Sequence, residues 1–146
     1  MNQHENKEFV RRRVIGEVWN DGKAAVVPEV FGPDYVGHDP SRPNLDGPEA
    51  VQRSVTQFHT AFPDLTMSVD DLLADGDRVI WRYTMTGTHS APFLGIEATR
   101  RNVSITGITI FRLANGMLRE GWINFDALGM LRQLGALPAA VEDVHH

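Results

Sequence analysis

Residues 101–135 read "RNVSITGITIFRLANGMLREGWINFDALGMLRQLG", and this stretch decides the fold. Arg101 to Leu113 is a long run rich in β-branched residues, which fit a pleated, half-buried strand. Gly107 marks a bulge or bend within it. Ala114-Asn115-Gly116 is a hairpin turn, because Asn-Gly tolerates the left-handed backbone that a tight connection needs. Met117 to Phe125 is the returning strand, and Ala127 to Leu134 has the spacing of a short helix. Asp126 stands at the junction, with Trp122, Ile123 and Phe125 before it and Leu128, Met130 and Leu131 after it. An ionised carboxylate in apolar company is unfavourable unless it is hydrogen-bonded or does chemistry. Asp126 is therefore either a helix N-cap or a base, and one oxygen can cap while the other faces a pocket.

Upstream, Arg78 to His89 alternates cleanly. Val79, Trp81, Tyr83 and Met85 share one face, and Ile80, Arg82, Thr84 and Thr86 the other. Thr66 to Ala74 leads into it through the turn Asp75-Gly76-Asp77. The N-terminal part is helical instead. Glu5 to Asn20 carries Val10, Val14 and Val18 at every fourth position, and Asn20-Asp21-Gly22 stops it. Ala24 to Phe31 is expected to make one or two helical turns, and Tyr35 to Asp39 to be extended before a loop, Pro40 to Leu45. Asp46-Gly47-Pro48 opens a second long helix whose buried stripe is Val51, Val55, Phe58 and Phe62. It ends at Ala61-Phe62-Pro63-Asp64. Helices followed by hairpin-linked strands give an α+β fold. Helices packed on a strongly curved, mixed or antiparallel sheet form a cone with an internal apolar pocket.

The totals agree with that reading. The chain has 146 residues, 42% of them hydrophobic and 23% charged, which suits a single domain spanning residues 1–146. Its core is expected at about residues 5–137, with a loose tail over 138–146 that holds Pro138. The closing His145-His146 pair carries no weight. A net charge of −5 argues against nucleic acid and against an anionic membrane as partners. Arg11-Arg12-Arg13, the only basic run, reads as a solvated face. There is no cysteine, so disulfides, thiolate nucleophiles and thiolate-bound zinc are excluded. The histidines are scattered without metal-ligand spacing, so no metal is expected. No apolar stretch is long enough to cross a bilayer, and the polar start "MNQHENKEF" lacks a signal core, which points to the cytoplasm.

The candidate pocket residues follow from position. In a regular strand Glu120, Trp122, Asn124 and Asp126 share one face, which suits a pocket wall with converging polar groups. Trp122 is either core packing or a surface for a flat aromatic ligand. Asn124 either positions a substrate or bonds a neighbouring loop. His38 ends an extended segment and His89 ends a strand, and each is either structural or a pocket group. His59 reads as a surface residue. Trp19 and Trp81 border the expected cone, with core packing as the default.

Several segments together carry a resemblance: "EVWNDG", "FGPDYVGHDP", "GPEAV", "AFPDL", "ADGDRVIWRYTMTGTH", "FRLANGMLREGW" and "FDALGMLRQLG". In this order and spacing, from about Val14 to Gly135, the chain resembles the SnoaL-like polyketide cyclase family, within the nuclear-transport-factor-two-like cone fold. The resemblance implies a cofactor-free enzyme acting on a small aromatic or apolar carbonyl substrate. Its reaction is an intramolecular aldol ring closure, with Asp126 as general acid and base. The family's cyclases can carry a histidine where Thr109 stands, and an asparagine in the "DYVGH" region where His38 stands. Trp19 occupies a place where the family often has a substrate-contacting aromatic. Pairing through the outer face of the sheet is also implied, giving a homodimer or a larger oligomer such as a tetramer. The same cone supports isomerases, dehydratases and epoxide hydrolases. A dehydratase needs His38 or His89 beside Asp126. An epoxide hydrolase needs two Asp around an Arg such as Arg82. A non-catalytic ligand-binding module remains a further alternative.

Overall fold

The structure, a computed structural model, describes residues 1–137; the expected tail and the terminal histidine pair lie outside the described residues. Asn2 starts the first helix with a reciprocal cap. Its side chain accepts the Glu5 N–H, and the Glu5 carboxylate accepts the Asn2 N–H. Helix α1, Gln3–Phe9, runs directly into a π-helical segment, Val10–Asn20. The periodicity suggested one α-helix here. The turn instead widens, and at its end the Asp21 N–H bonds the Gly16 carbonyl at 2.8 Å. Val10, Val14, Ile15 and Val18 remain buried, because a four-residue spacing tolerates either turn.

A short 3-10 turn, Ala24–Val26, and helix α2, Val27–Val30, occupy the expected helical stretch. Strand β1, Phe31–His38, begins earlier than the expected Tyr35. Helix α3, Pro48–Ala61, starts with proline in its first turn and buries Val51, Val55 and Phe58. Strands β2 (Thr66–Met67), β3 (Asp71–Asp75), β4 (Arg78–Thr88), β5 (Asn102–Ala114) and β6 (Met117–Phe125) follow, then helix α4, Ala127–Gln133.

The strands form one sheet in the order β1-β6-β5-β4-β2, with β3 also pairing β4. Every pairing is antiparallel except β1 with β6, which is parallel, so the sheet is mixed. The Asn115-Gly116 turn joins β5 to β6 with both residues at positive φ, 53° and 74°. The bulge expected at Gly107 is absent, since β4 and β5 pair in unbroken register past it. Register shifts instead between Arg112 and Leu113, opposite β6. Gly107 serves a different purpose: a Cβ there would lie 2.5 Å from the Tyr83 ring. Tyr83 can lie against the sheet only because that position lacks a side chain.

One face of the sheet buries Val79, Trp81, Tyr83 and Met85 of β4, as the alternation predicted. Those residues join Ile105 and Phe111 of β5 and the apolar faces of α3 and the π-helical segment in one core. The helices cover this face and leave the other exposed. The architecture is thus α+β, with helices on one side of a curved, unclosed mixed sheet.

Candidate active-site cavity

The covered face of the sheet holds a cavity lined by side chains from the π-helical segment, α3, five of the six strands and the loop after β1. Val51, Ser54 and Phe58 come from α3, and Trp81, Tyr83 and Met85 from β4. Thr109 and Phe111 come from β5, Ile123 and Phe125 from β6, and Phe31 and Tyr35 from β1. Trp19 ends the helical wall, and Arg42 and Leu45 come from the loop after β1. About 700 Å³ is unoccupied by atoms when the open mouth is included.

The polar groups are few. Tyr83 is buried on the wall beside Thr109. Burial pushes its phenol above the usual range, and a hydrogen bond with Thr109 partly offsets that. Burial also pushes the Tyr35 phenol well up. Both phenols therefore stay neutral and serve as hydroxyl donors or acceptors.

Arg42 is the one charged residue of the lining among the described residues. Its Nε donates to Asp39 Oδ2 at 2.9 Å, and its Nη1 donates to Ser54 Oγ at 2.5 Å. The guanidinium carbon lies 5.1 Å from the Phe58 ring centroid and 5.5 Å from that of Phe125. Asp39 is itself fixed, because its Oδ1 accepts the Ser41 N–H and hydroxyl. Neither Arg42 nor its partners Asp39 and Ser54 stood out in the sequence. The signal was the Asp39-x-x-Arg42 spacing inside "HDPSRPN", a segment that reads simply as loop.

Three of the expected site residues, Trp19, Trp81 and Thr109, do line this cavity. Trp19 stacks edge-on to Phe58 with centroids 5.7 Å apart. Trp81 is 1% exposed and donates its indole N–H to the Ser68 carbonyl. His59, expected on the surface, is half-buried; its Nε2 bonds the Trp19 carbonyl at 2.6 Å and so ties α3 to the helical wall.

Trp122 and Asn124 are elsewhere. Thr109 opposes Ile123 across β5 and β6, while Ile110 opposes Trp122 and Ile108 opposes Asn124. Ile123 and Phe125 therefore point into the cavity, and Glu120, Trp122 and Asn124 lie on the outer face of the sheet. The three do share one face, as alternation implies, but it is the outer face of the sheet and not a pocket wall. His38 is on that outer face too. It pairs in register with Trp122, stacks on its ring at 5.6 Å, and bonds Glu120 Oε2 at 2.7 Å. Arg112 also reaches Glu120, and Arg78 sits over the Trp122 ring. The His38 hydrogen bond, helped by Arg112, holds the Glu120 carboxyl below its usual value.

His89 is fully buried next to Phe62, outside the cavity lining. Its Nδ1 accepts the Thr99 N–H at 3.1 Å, which places the ring proton on Nε2, and Nε2 has no partner among the described residues. His38 bonds Glu120 and His89 bonds Thr99, so neither supplies the His–Asp pair of a dehydratase. Arg82 bonds Asp71 at 2.7 Å on the outer face, away from any water-activating site in the cavity.

Asp126 caps α4. Its Oδ1 accepts the Gly129 N–H at 2.8 Å, and its backbone N–H bonds the Thr106 carbonyl. The residue is exposed and does not belong to the lining, although Phe125 directly before it does. Among the described residues no group of three or more His, Asp or Glu is placed to hold a metal, and no helix is long and apolar enough to cross a membrane.

Comparison with known proteins agrees with this architecture. The chain is 32% identical over 131 residues to the aklanonic acid methyl ester cyclase DnrD of Streptomyces peucetius, covering 88% of this chain and 89% of that protein. It is equally similar to the aklanonic acid methyl ester cyclase DauD of Streptomyces sp. strain C5, with 88% and 80% covered. The structure of TsrD from Streptomyces laurentii superposes with a TM-score of 0.81 at 28% identity, over 91% of this chain and 97% of that one. The sequence profile of SnoaL-like polyketide cyclases matches residues 9–134, and the chain belongs to that family.

Proposed function

We propose that the protein is a cofactor-free cyclase that closes a ring by intramolecular aldol chemistry on a small aromatic or apolar carbonyl substrate. The observation that carries this reading is an aromatic-walled cavity with a few hydroxyls and one guanidinium, and a carboxylate following the wall residue Phe125. In this reading Asp126 removes a proton next to a carbonyl and returns it to the new alkoxide. The Gly129 N–H anchors Oδ1, and in this reading Oδ2 takes the proton. The cavity supplies orientation, which is the larger part of the work for a carbon acid already activated by flanking carbonyls. The protein acts in the cytoplasm as a homo-oligomer paired through the outer face of the sheet.

The test is turnover of aklanonic acid methyl ester, the compound for which the two relatives are named, by wild type and by Asp126→Asn. Asparagine caps a helix as well as aspartate does, so the substitution removes the base and keeps the cap. A fall in kcat of about 10²–10⁴ with unchanged thermal stability supports the role of Asp126. Undiminished turnover removes it. A second reading, ligand binding without turnover, is favoured by one observation: among the described residues no carboxylate lines the cavity, and Asp126 is exposed. Tight binding of carbonyl ligands with no product from any of them would establish that reading.

A further inference from the structure

Arg42 is held more firmly than packing alone requires. Asp39 fixes Nε, Ser54 fixes Nη1, and the guanidinium carbon lies against the rings of both Phe58 and Phe125. A guanidinium has five N–H donors, and these bonds use two of them. The remaining three have no partner among the described residues. Nη2, the nitrogen without a partner, is not sealed off either, since the side chain keeps 17% of its surface and Nη2 is not a buried unpaired atom. A preorganised guanidinium that is ion-paired to Asp39 through Nε and keeps unused N–H donors in a mostly aromatic wall is a binding group for ligand oxygens, because the low-dielectric surroundings strengthen the contact. Its planar fork matches two oxygens on one edge of a flat ligand.

We propose that Arg42 anchors the substrate, and that the substrate class is a planar 1,3-dicarbonyl compound whose two oxygens meet the free edge of the guanidinium as an enolate. The proposal rests on the ring-closing reading and deepens it. Transfer of the proton between the two carbonyls to the base, Asp126 in the ring-closing reading and water in a binding experiment, leaves its electron pair spread over both oxygens, and the unused Arg42 N–H groups donate to them. Tyr83 and Thr109 lie on the sheet wall of the same cavity and offer neutral hydroxyls to a further oxygen of the ligand.

The experiment uses two matched probes, benzoylacetone (a phenyl 1,3-diketone) and butyrophenone (the phenyl monoketone), with the whole protein. Binding is read from tryptophan fluorescence, and ionisation of the bound diketone from its ultraviolet spectrum against pH. Wild type is expected to prefer benzoylacetone by about tenfold or more. It should also move the ionisation of the bound diketone at least about one pH unit below its value in free solution. Arg42→Met is expected to abolish both effects while holding butyrophenone within about twofold of wild type. Arg42→Lys, which keeps a charge for Asp39, should retain part of the ionisation shift. If Arg42→Met does not fold, Ser54→Ala replaces it and should reduce the preference several-fold. Failure of wild type to bind either probe overturns the proposal. So does equal affinity for the two, an unshifted ionisation, or loss of both probes alike on substitution. None of these readings involves turnover. An Arg42-dependent preference in a protein that closes no ring would sink the cyclase reading alone, and turnover with no such preference would sink this proposal alone.

Discussion

Tyr83 rests against Gly107 of the neighbouring strand, where even a single added carbon would lie 2.5 Å from the ring. The contact places the phenol beside Thr109 on the cavity wall. Gly107→Ala therefore forces Tyr83 out of its rotamer or separates β4 from β5. We expect a loss of about 1–3 kcal/mol, measured by urea unfolding, as for other overpacked positions. The double variant Gly107→Ala with Tyr83→Leu should recover part of that loss, because it removes the ring that the new methyl meets.

The Asp126 cap is coupled to Gly129. A side chain at Gly129 would overlap the carboxylate that accepts its N–H. Asp126→Ala should cost about 0.5–2 kcal/mol through loss of the cap. Gly129→Ala should destabilise wild type but be neutral or favourable in the Asp126→Ala background, where alanine's helix propensity is no longer opposed. A double-mutant cycle in urea measures this coupling; strictly additive effects would mean that the two residues are independent.

Acid should weaken the protein partly through Asp64. Its carboxylate accepts the Thr88 N–H and hydroxyl, each at 2.7 Å, and the backbone bond above all holds its pKa below the ordinary 3.8. A depressed carboxylate contributes stability that is present above its unfolded value and lost as pH falls through its folded one. Glu120, depressed from 4.5 by His38 and Arg112, acts in the same direction on the outer face. Stability measured between about pH 5 and pH 2 should therefore fall less steeply in Asp64→Asn than in wild type. An unchanged slope would show that the Thr88 contacts do not persist in solution.

The outer face of the sheet carries one continuous cross-strand row. Leu73 opposes Ile80, Ile80 opposes Ile110, Ile110 opposes Trp122, and Trp122 opposes His38. Leu73 is 59% exposed and the nearby Ile108 is 46% exposed. If this face pairs two copies, Ile108→Glu should yield a monomer in sedimentation velocity at micromolar concentration with the secondary structure intact. An unaltered oligomer would move the interface elsewhere.

Much of the architecture was written locally. The alternation of β4, the Asn115-Gly116 turn and the α3 stripe each depend on residues close in sequence, and each could be read there. The site was less legible because its geometry depends on distant pairings. Alternation showed that Glu120, Trp122 and Asn124 share a face, but not which way that face points. The clue was on the opposite parity, where Gly121, Ile123 and Phe125 are small or apolar. His38 joined Trp122 only through the parallel register of β1 on β6, a pairing no local pattern encodes. Arg42 was overlooked because a loop residue gains meaning only from what it touches, here Asp39 beside it and Ser54 on α3.

The parallel pairing of β1 with β6 has a consequence for how the protein is made. The strand that starts the sheet finds its partner only in the last strand, with the whole of β2 to β5 between them. Such distant closure is slow compared with hairpin zipping, and on the ribosome it must wait until β6 has emerged. Phe31 and Tyr35 sit on that late-arriving strand, and Ile123 and Phe125 on its partner. The part of the cavity wall that these four residues form is therefore complete only once β1 has paired with β6.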